Sequence, residues 1–455
     1  MPPTLPRSSA SLAIAAAMLL SPPAARAGDP RDDGATLLPH PDAAWWLSGQ
    51  INLIGQAQPG FHAPYTGDNS LRSDDHAALS TVETVFAGYE VTPVTAIVVA
   101  GESAGGGGLS NALGLGGFTN LDVVRNPSLG VAPYVARAFI DQIIPLSSEW
   151  RASERDALHV LRELPTRRIE IRAGKLATAE SFDLNAIGSD SHLQFMNWTV
   201  NNNGAYDYAA DTRGYTLGAI AEYAQEEFAV RFGELLMPKV ANGNDYDFDI
   251  ANARGENLEL EYHDRIAGRA GTVRVLGFLN HARMGNYVEA NAPVLVGVID
   301  RPDITASRQV GRTKYGFGLN AEHEIVDGVR GFLRVGWSDG KNESFAFTEV
   351  DNTFELGGDV RGTWWGRGAD KLGLAAVTNG LSDGHARYLQ LGGKGFLLGD
   401  GNLHYARETV VEAYYTARVY RGVSLAADGQ VIVDPGFNAD RGPVAVGSLR
   451  LHVEI

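Results

Sequence analysis

The chain has 455 residues, 54 glycines, no cysteine and a formal charge of −16. Absent cysteine excludes a disulfide framework, thiol catalysis and cysteine-ligated metal centres, and the acidic balance argues against nucleic acid as a partner. A hydrophobic share of 44% with both charge signs interspersed excludes a disordered chain, and glycine well above the usual share of about 7% points to many tight turns.

Chain order starts with a targeting signal. Arg7 precedes an apolar run over 10–20, and Ala25-Arg26-Ala27 supplies a small-x-small cleavage pattern. The expectation is a signal peptide over 1–27 and one mature domain over 28–455. The apolar run is short of the roughly 20 residues that span a bilayer as a helix, and no later segment supplies a longer one. Two classes remain: a secreted globular protein, or a transmembrane β-barrel whose strands need only about 9–11 residues each.

Alternation with period two decides between them, because successive side chains of a strand point to opposite faces. In the first segment Trp45, Leu47, Gly49, Ile51, Leu53, Gly55 and Ala57 share a face, opposite Ser48, Gln50, Asn52, Gln56 and Gln58. The pattern recurs over 81–91, 94–102, 133–144, 167–177, 213–225, 227–237, 255–265, 271–282, 313–326, 329–338, 353–363, 370–379, 409–420, 422–432 and 443–455, which makes sixteen strands. Connections alternate between tight turns such as Val326-Asp327-Gly328 and long excursions over 103–132, 178–212, 283–312 and 380–408. An even strand count with short turns on one side and long loops on the other is the pattern of an outer-membrane barrel. One connection breaks the rule: 153–162 reads as a short amphipathic helix with Leu158 and Leu161 on one side, at the periplasmic mouth. Trp45-Trp46, Trp364-Trp365 and Tyr414-Tyr415 lie near strand ends, where aromatic girdles form.

Two features imitate other chemistry. Gly101-Glu102-Ser103-Ala104-Gly105 matches a nucleophile elbow and carries the rival reading of an exported serine esterase acting through Ser103. An elbow must open a helix, and the Gly105-to-Gly108 run that follows costs a helix about 1 kcal/mol per residue relative to alanine. Asp245, Asp247, Asp249 and Glu256 have EF-hand spacing, but Ile250 stands where the loop needs glycine. The cluster sits in an outer loop, and whether it binds calcium stays open. No phosphate loop, dinucleotide fingerprint or paired metal-ligating histidines occur; no cofactor or metal is expected.

With the apolar faces turned to lipid, Arg137, Arg172, Arg231, Arg274, Arg334, Arg361 and Arg418 fall inside, with Glu170, Glu259, Glu261, Glu322, Glu355 and Glu412. These arginines are the expected pore-lining residues. Guanidinium forks donating to hydroxyls, together with aromatic faces, suit a neutral polyol.

Several motifs in fixed order resemble the OprB-type carbohydrate-selective porins of Gram-negative outer membranes. They are Glu102 through Asn120 with Val123-Val124-Arg125, Ala173-Gly174-Lys175-Leu176 with Phe182-Asp183-Leu184-Asn185, and Gln194-Phe195-Met196-Asn197-Trp198. Further along come Asp207-Tyr208-Ala209-Ala210-Asp211-Thr212-Arg213-Gly214-Tyr215, Glu412-Ala413-Tyr414-Tyr415 and Asp434 through Pro443. The chain ends in Ile455, where such barrels commonly carry an aromatic, and Asp434 stands where asparagine is expected. The resemblance implies passive diffusion of monosaccharides or short oligosaccharides, without a chemical step, across the outer membrane. It implies partners limited to small sugars, outer-membrane lipid and the barrel-assembly machinery, with homo-oligomerisation left open. Segment 178–212 is the candidate inward fold, with Phe195, Asn197, Trp198, Tyr206, Tyr208 and Arg213 as sugar contacts and Glu102 and Arg125 in second rank. A non-conducting barrel acting as an adhesin is the remaining rival.

Overall fold

The computed structural model describes residues 34–123 and 129–455, so the expected leader and Arg125 lie outside the described residues. The first eight barrel strands are β1 (Trp45–Gln58), β2 (His76–Thr92), β3 (Thr95–Gly106), β4 (Tyr134–Pro145), β5 (Arg168–Leu176), β6 (Thr216–Ala224), β7 (Phe228–Leu236) and β8 (Arg254–Ile266). The second eight are β9 (Arg269–Met284), β10 (Gln309–Val326), β11 (Val329–Ser338), β12 (Asn352–Arg361), β13 (Lys371–Gly380), β14 (Glu408–Tyr420), β15 (Val423–Val433) and β16 (Val444–Glu454). Each pairs antiparallel with its chain neighbours, and β1 closes on β16 from Gln50↔Glu454 to Ala57↔Gly447. All sixteen expected strands are present in one closed barrel, the architecture that leaves no edge unpaired in lipid.

The period-two pattern sets the wall. On β8, Leu258, Leu260 and Tyr262 are exposed outward while Asn257 and Glu259 are buried inward. Contiguous exposed aliphatics of this kind would be an aggregation hazard in water and are the expected lipid face of a membrane barrel. The inside is not hollow. Long connections fold into it and share one hydrophobic core, including Leu109, Phe118, Phe182, Phe195, Val200, Phe332 and Phe345.

The helix expected over 153–162 does not form. Trp150–Ala152 pairs with Glu163–Pro165 as a small separate hairpin, and the residues between run without helix. Asp156 Oδ1 accepts the Leu158 and His159 amides at 2.7 and 2.8 Å, and Arg155 Nε donates to the Val160 carbonyl at 2.8 Å. These local bonds replace a helical ladder. Val160 and Leu161 instead plug inward against Ala96, Val98, Phe139 and Ile143, and Arg162 pairs with Glu90 at 2.8 Å. The aromatic pairs straddle the wall: Trp45, Trp364 and Trp365 are exposed, but Tyr414 is buried inside and Trp46 stacks on His40 at 4.0 Å. Adjacent strand residues face opposite sides, so Trp45-Trp46 and Tyr414-Tyr415 each contribute at most one ring to a girdle, whereas Trp364 and Trp365 lie in the short helix Gly362–Trp365 and are both exposed.

Candidate functional site: a narrowed passage

Segment 177–215 enters the barrel and is pinned by wall side chains. Glu412 accepts the Met196 amide at 2.6 Å and the Asn197 amide at 3.2 Å. Glu259 and Glu322 each accept an amide, from Asp183 and Ala186, at 2.7 Å. Arg450 donates to the Ser191 and Gln194 carbonyls at 2.7 and 3.0 Å. Arg334, wholly buried, bridges Asp183 at 2.9 Å and Glu355 at 2.8 Å. Lys314, equally buried, reaches Asp207 at 3.2 Å. Barrel wall and segment thus act as receptor and ligand, joined by charge-assisted hydrogen bonds.

A second connection, 107–123, folds in beside the first. Trp198 N donates to Phe118 O at 2.8 Å, Trp198 Nε1 to Asn120 O at 2.7 Å, and Leu121 N to Met196 O at 3.0 Å. Glu408 accepts amides of both Gly116 and Gly436, at 3.1 and 2.7 Å. The Asp434-to-Pro443 motif therefore buttresses the glycine-rich one. Asp434 holds φ at +52°, a conformation that aspartate tolerates nearly as asparagine does.

Between these segments and the β3–β4 wall lies a cavity of about 360 Å³, lined by Glu102, Tyr134, Arg137, Glu180, Trp198, Tyr208 and Arg213 among others. It shares Gln50, Arg137, Glu180, Ser189, Asp190 and His192 with a vestibule of about 1580 Å³ on the short-turn side, which is periplasmic in outer-membrane barrels. At the junction, the Glu102 carboxylate receives Tyr215 Oη at 2.8 Å, Thr84 Oγ1 at 3.0 Å and the Tyr134 hydroxyl. Arg137 Nη1 stands 3.8 Å from it, while Arg137 Nε donates to Glu180 at 2.9 Å. The Arg213 guanidinium lies 3.8 Å over the Tyr134 ring, a cation–π contact.

Of the candidate sugar contacts, Trp198, Tyr208, Arg213 and Glu102 meet in this cavity. Phe195, Asn197 and Tyr206 do not line it; each is at most 1% exposed. Phe195 packs edge-on to Tyr414 at 4.8 Å, Asn197 caps the short helix Trp198–Asn201, and Tyr206 Oη bonds Asn257 at 2.7 Å. They hold the segment in place. Arg137 lines both cavities and Arg418 the vestibule. Arg172, Arg231 and Arg274 form a ladder along the inner wall with Glu170, Glu222, Glu261 and Glu322 at 2.5 to 3.0 Å. Arg361, the last residue of β12, is exposed and lines neither cavity. Arg450 and Lys314 lay on polar strand faces in the sequence, but their role depends on which loop lands on them.

Ser103 lies within β3, opposite Glu83, and its hydroxyl donates to the Val131 carbonyl at 2.9 Å. The GESAG motif is a continuous strand, not a strand–turn–helix elbow. Among the described residues no group of acidic and histidine side chains is arranged to hold a metal ion.

Residues 98–455 match the family described as carbohydrate-selective porin, OprB family. No curated protein matches the sequence. Among solved structures, the high-pH structure of Pseudomonas putida OprB is similar at a TM-score of 0.65 and 14% identity, covering 90% of this chain and 94% of that one. The outer membrane channel DcaP of Acinetobacter baumannii is similar at 0.50 and 8%, covering 90% and 97%. At these identities the structural likeness speaks to the barrel alone.

Proposed function

This chain belongs to the OprB family of carbohydrate-selective porins of the outer membrane, and on that premise we propose that it acts as a channel rather than an enzyme and that monosaccharides and short oligosaccharides cross it through the Glu102–Arg137 narrowing. The observation that carries this reading is the fixed acceptor and fixed donor 3.8 Å apart at the wall where the small cavity meets the vestibule. Neighbouring sugar hydroxyls both donate and accept, and an opposed carboxylate and guanidinium offer both partners at once. Arg137 is shared with Glu180, and Arg213 brings a second guanidinium to the lining, so these two carboxylates and two guanidiniums balance and favour a polyol over an ion of either sign.

Tyr134, Tyr215 and Thr84 hold the carboxylate in one orientation, which lowers the ordering cost of each encounter. Trp198, Tyr208 and Arg213 supply the aromatic and cationic rim. A cavity of about 360 Å³ lies at the small end of ligand pockets, roughly 300–1,000 Å³, which suits one sugar ring at a time. Throughput requires weak binding, so the expected affinity is millimolar, about −4 kcal/mol. No chemical step is involved, and the vestibule releases the sugar to the periplasm. Swelling of protein-loaded liposomes in a size series of sugars tests the reading.

A further inference from the structure

We propose that the ion pair between His192 and Asp122 is a latch that ties the two inward segments together beside the narrowing, and that its release widens the passage for larger neutral sugars. The inference rests on the channel reading above and adds a positioning role that passage of sugar alone does not require.

The two residues come from different connections, His192 from 177–215 and Asp122 from 107–123, and both line the small cavity. His192 Nε2 lies 3.4 Å from Asp122 Oδ1. Asp122 is braced from β1, where Asn52 Nδ2 donates to its other oxygen, and its own amide is held by Asn120 Oδ1 at 2.9 Å. His192 is braced from β16: its ring stacks on His452 with centroids 5.5 Å apart and planes within 8°. His452 in turn meets Glu454 at 3.1 Å. The backbone of His192 is turned by Asp190, whose Oδ1 accepts its amide at 2.9 Å. Each partner is anchored to one side of the β1–β16 seam, so the ion pair spans the gap between the segment tips.

The backbone and indole bonds between the segments involve Trp198, Met196, Phe118, Asn120 and Leu121, none of which titrates. Losing the latch would free the tips without expelling either segment from the barrel.

The charged groups facing His192 are Asp122, Asp190, Arg450 and, beyond His452, Glu454. Burial pushes the imidazole toward neutrality and Arg450 adds to that push. Asp122 and Asp190 outweigh both and raise its pKa to about 9. Burial likewise opposes the Asp122 charge, yet His192, Asn52 and Arg450 hold it below the usual carboxylate range. A raised histidine pKa means the latch is complete below the ordinary value of about 6.5 and is lost as pH rises through about 9.

The test is liposome swelling by the full chain with neutral sugars from pentose to trisaccharide at pH 7 and pH 10, neutral solutes removing any direct effect of pore charge. The expected result is a severalfold rise in the trisaccharide-to-pentose rate ratio at pH 10 for the unaltered chain. Asp122→Asn should show the raised ratio at both pH values, and His192→Gln, which cuts the pair from the other side, should match it. His192→Lys, cationic to higher pH, should keep the low ratio at pH 9.5. A ratio flat with pH in the unaltered chain, or an unaltered ratio in folded Asp122→Asn and His192→Gln, overturns the latch while sugar flux leaves the channel reading intact. Absence of flux for every sugar would overturn the channel reading itself.

Discussion

Glu102 Oε2 and Arg137 Nη1 stand 3.8 Å apart on neighbouring strands, each held by partners of its own. Three hydroxyls converge on the carboxylate, and Glu180 takes the far side of the guanidinium. Glu102→Gln keeps the shape and removes the charge that strengthens those bonds. A hydrogen bond to a charged group contributes about 1.5–3 kcal/mol, so sugar affinity should fall by roughly 10–100-fold. Titrating the sugar-induced block of single-channel current checks this, with conductance in sugar-free salt as the control for pore size.

Glu412 tests the pinning of the inward segment. Glu412→Ala strands the Met196 and Asn197 amides inside the barrel, and each unsatisfied buried donor costs about 1–3 kcal/mol. The expected outcome is a lower temperature for the heat-modified shift on electrophoresis and a larger sugar size limit. An unchanged size limit would mean that Arg450 and Glu322 hold the segment without it.

Gly117 marks the contact between the two inward segments. A Cβ there would lie 2.3 Å from Thr199 Cγ2 and 3.3 Å from Trp198 Cβ. Gly117→Val must therefore part them, with overpacking costs of typically 1–3 kcal/mol. Faster swelling by disaccharides, at unchanged strand content by circular dichroism, is the predicted result.

At the periplasmic mouth, Val160→Asp puts a charge among Ala96, Val98, Phe139 and Ile143. Burying an unpaired carboxylate there is costlier than releasing the segment into water. Trypsin should then cut after Arg155 or Arg162, sites otherwise occupied by the Val160 carbonyl and Glu90, while the barrel keeps its heat resistance.

Strand positions were legible because each wall residue faces either lipid or lumen, a period that no loop can imitate over sixteen segments; residues 329–338 match β11 at both ends. The segment 153–162 was misread because Leu158 and Leu161 have helical spacing, and nothing local reveals that Asp156 and Arg155 spend their bonds on a turn. The inward segment was legible through its motifs, but not the direction of each side chain. Phe195, Asn197 and Tyr206 are aromatic or amide residues as suited to sugar as Trp198, and only Tyr414, Gln430 and Asn257 on distant strands turn them into packing. Arg137 and Arg361 share a polar face pattern, yet one ends at the narrowing and the other at the rim, a difference of depth that alternation does not encode.

The central claim is selective passage of sugar through the Glu102–Arg137 narrowing. Its most direct measurement is liposome swelling by the full chain with a size series of neutral sugars against salts of matched size. Monosaccharides should enter fastest, trisaccharides slowly and salts more slowly than sugars of their size, with the sugar preference lost in Glu102→Gln. No swelling with any solute, or salts entering as fast as monosaccharides, would contradict it.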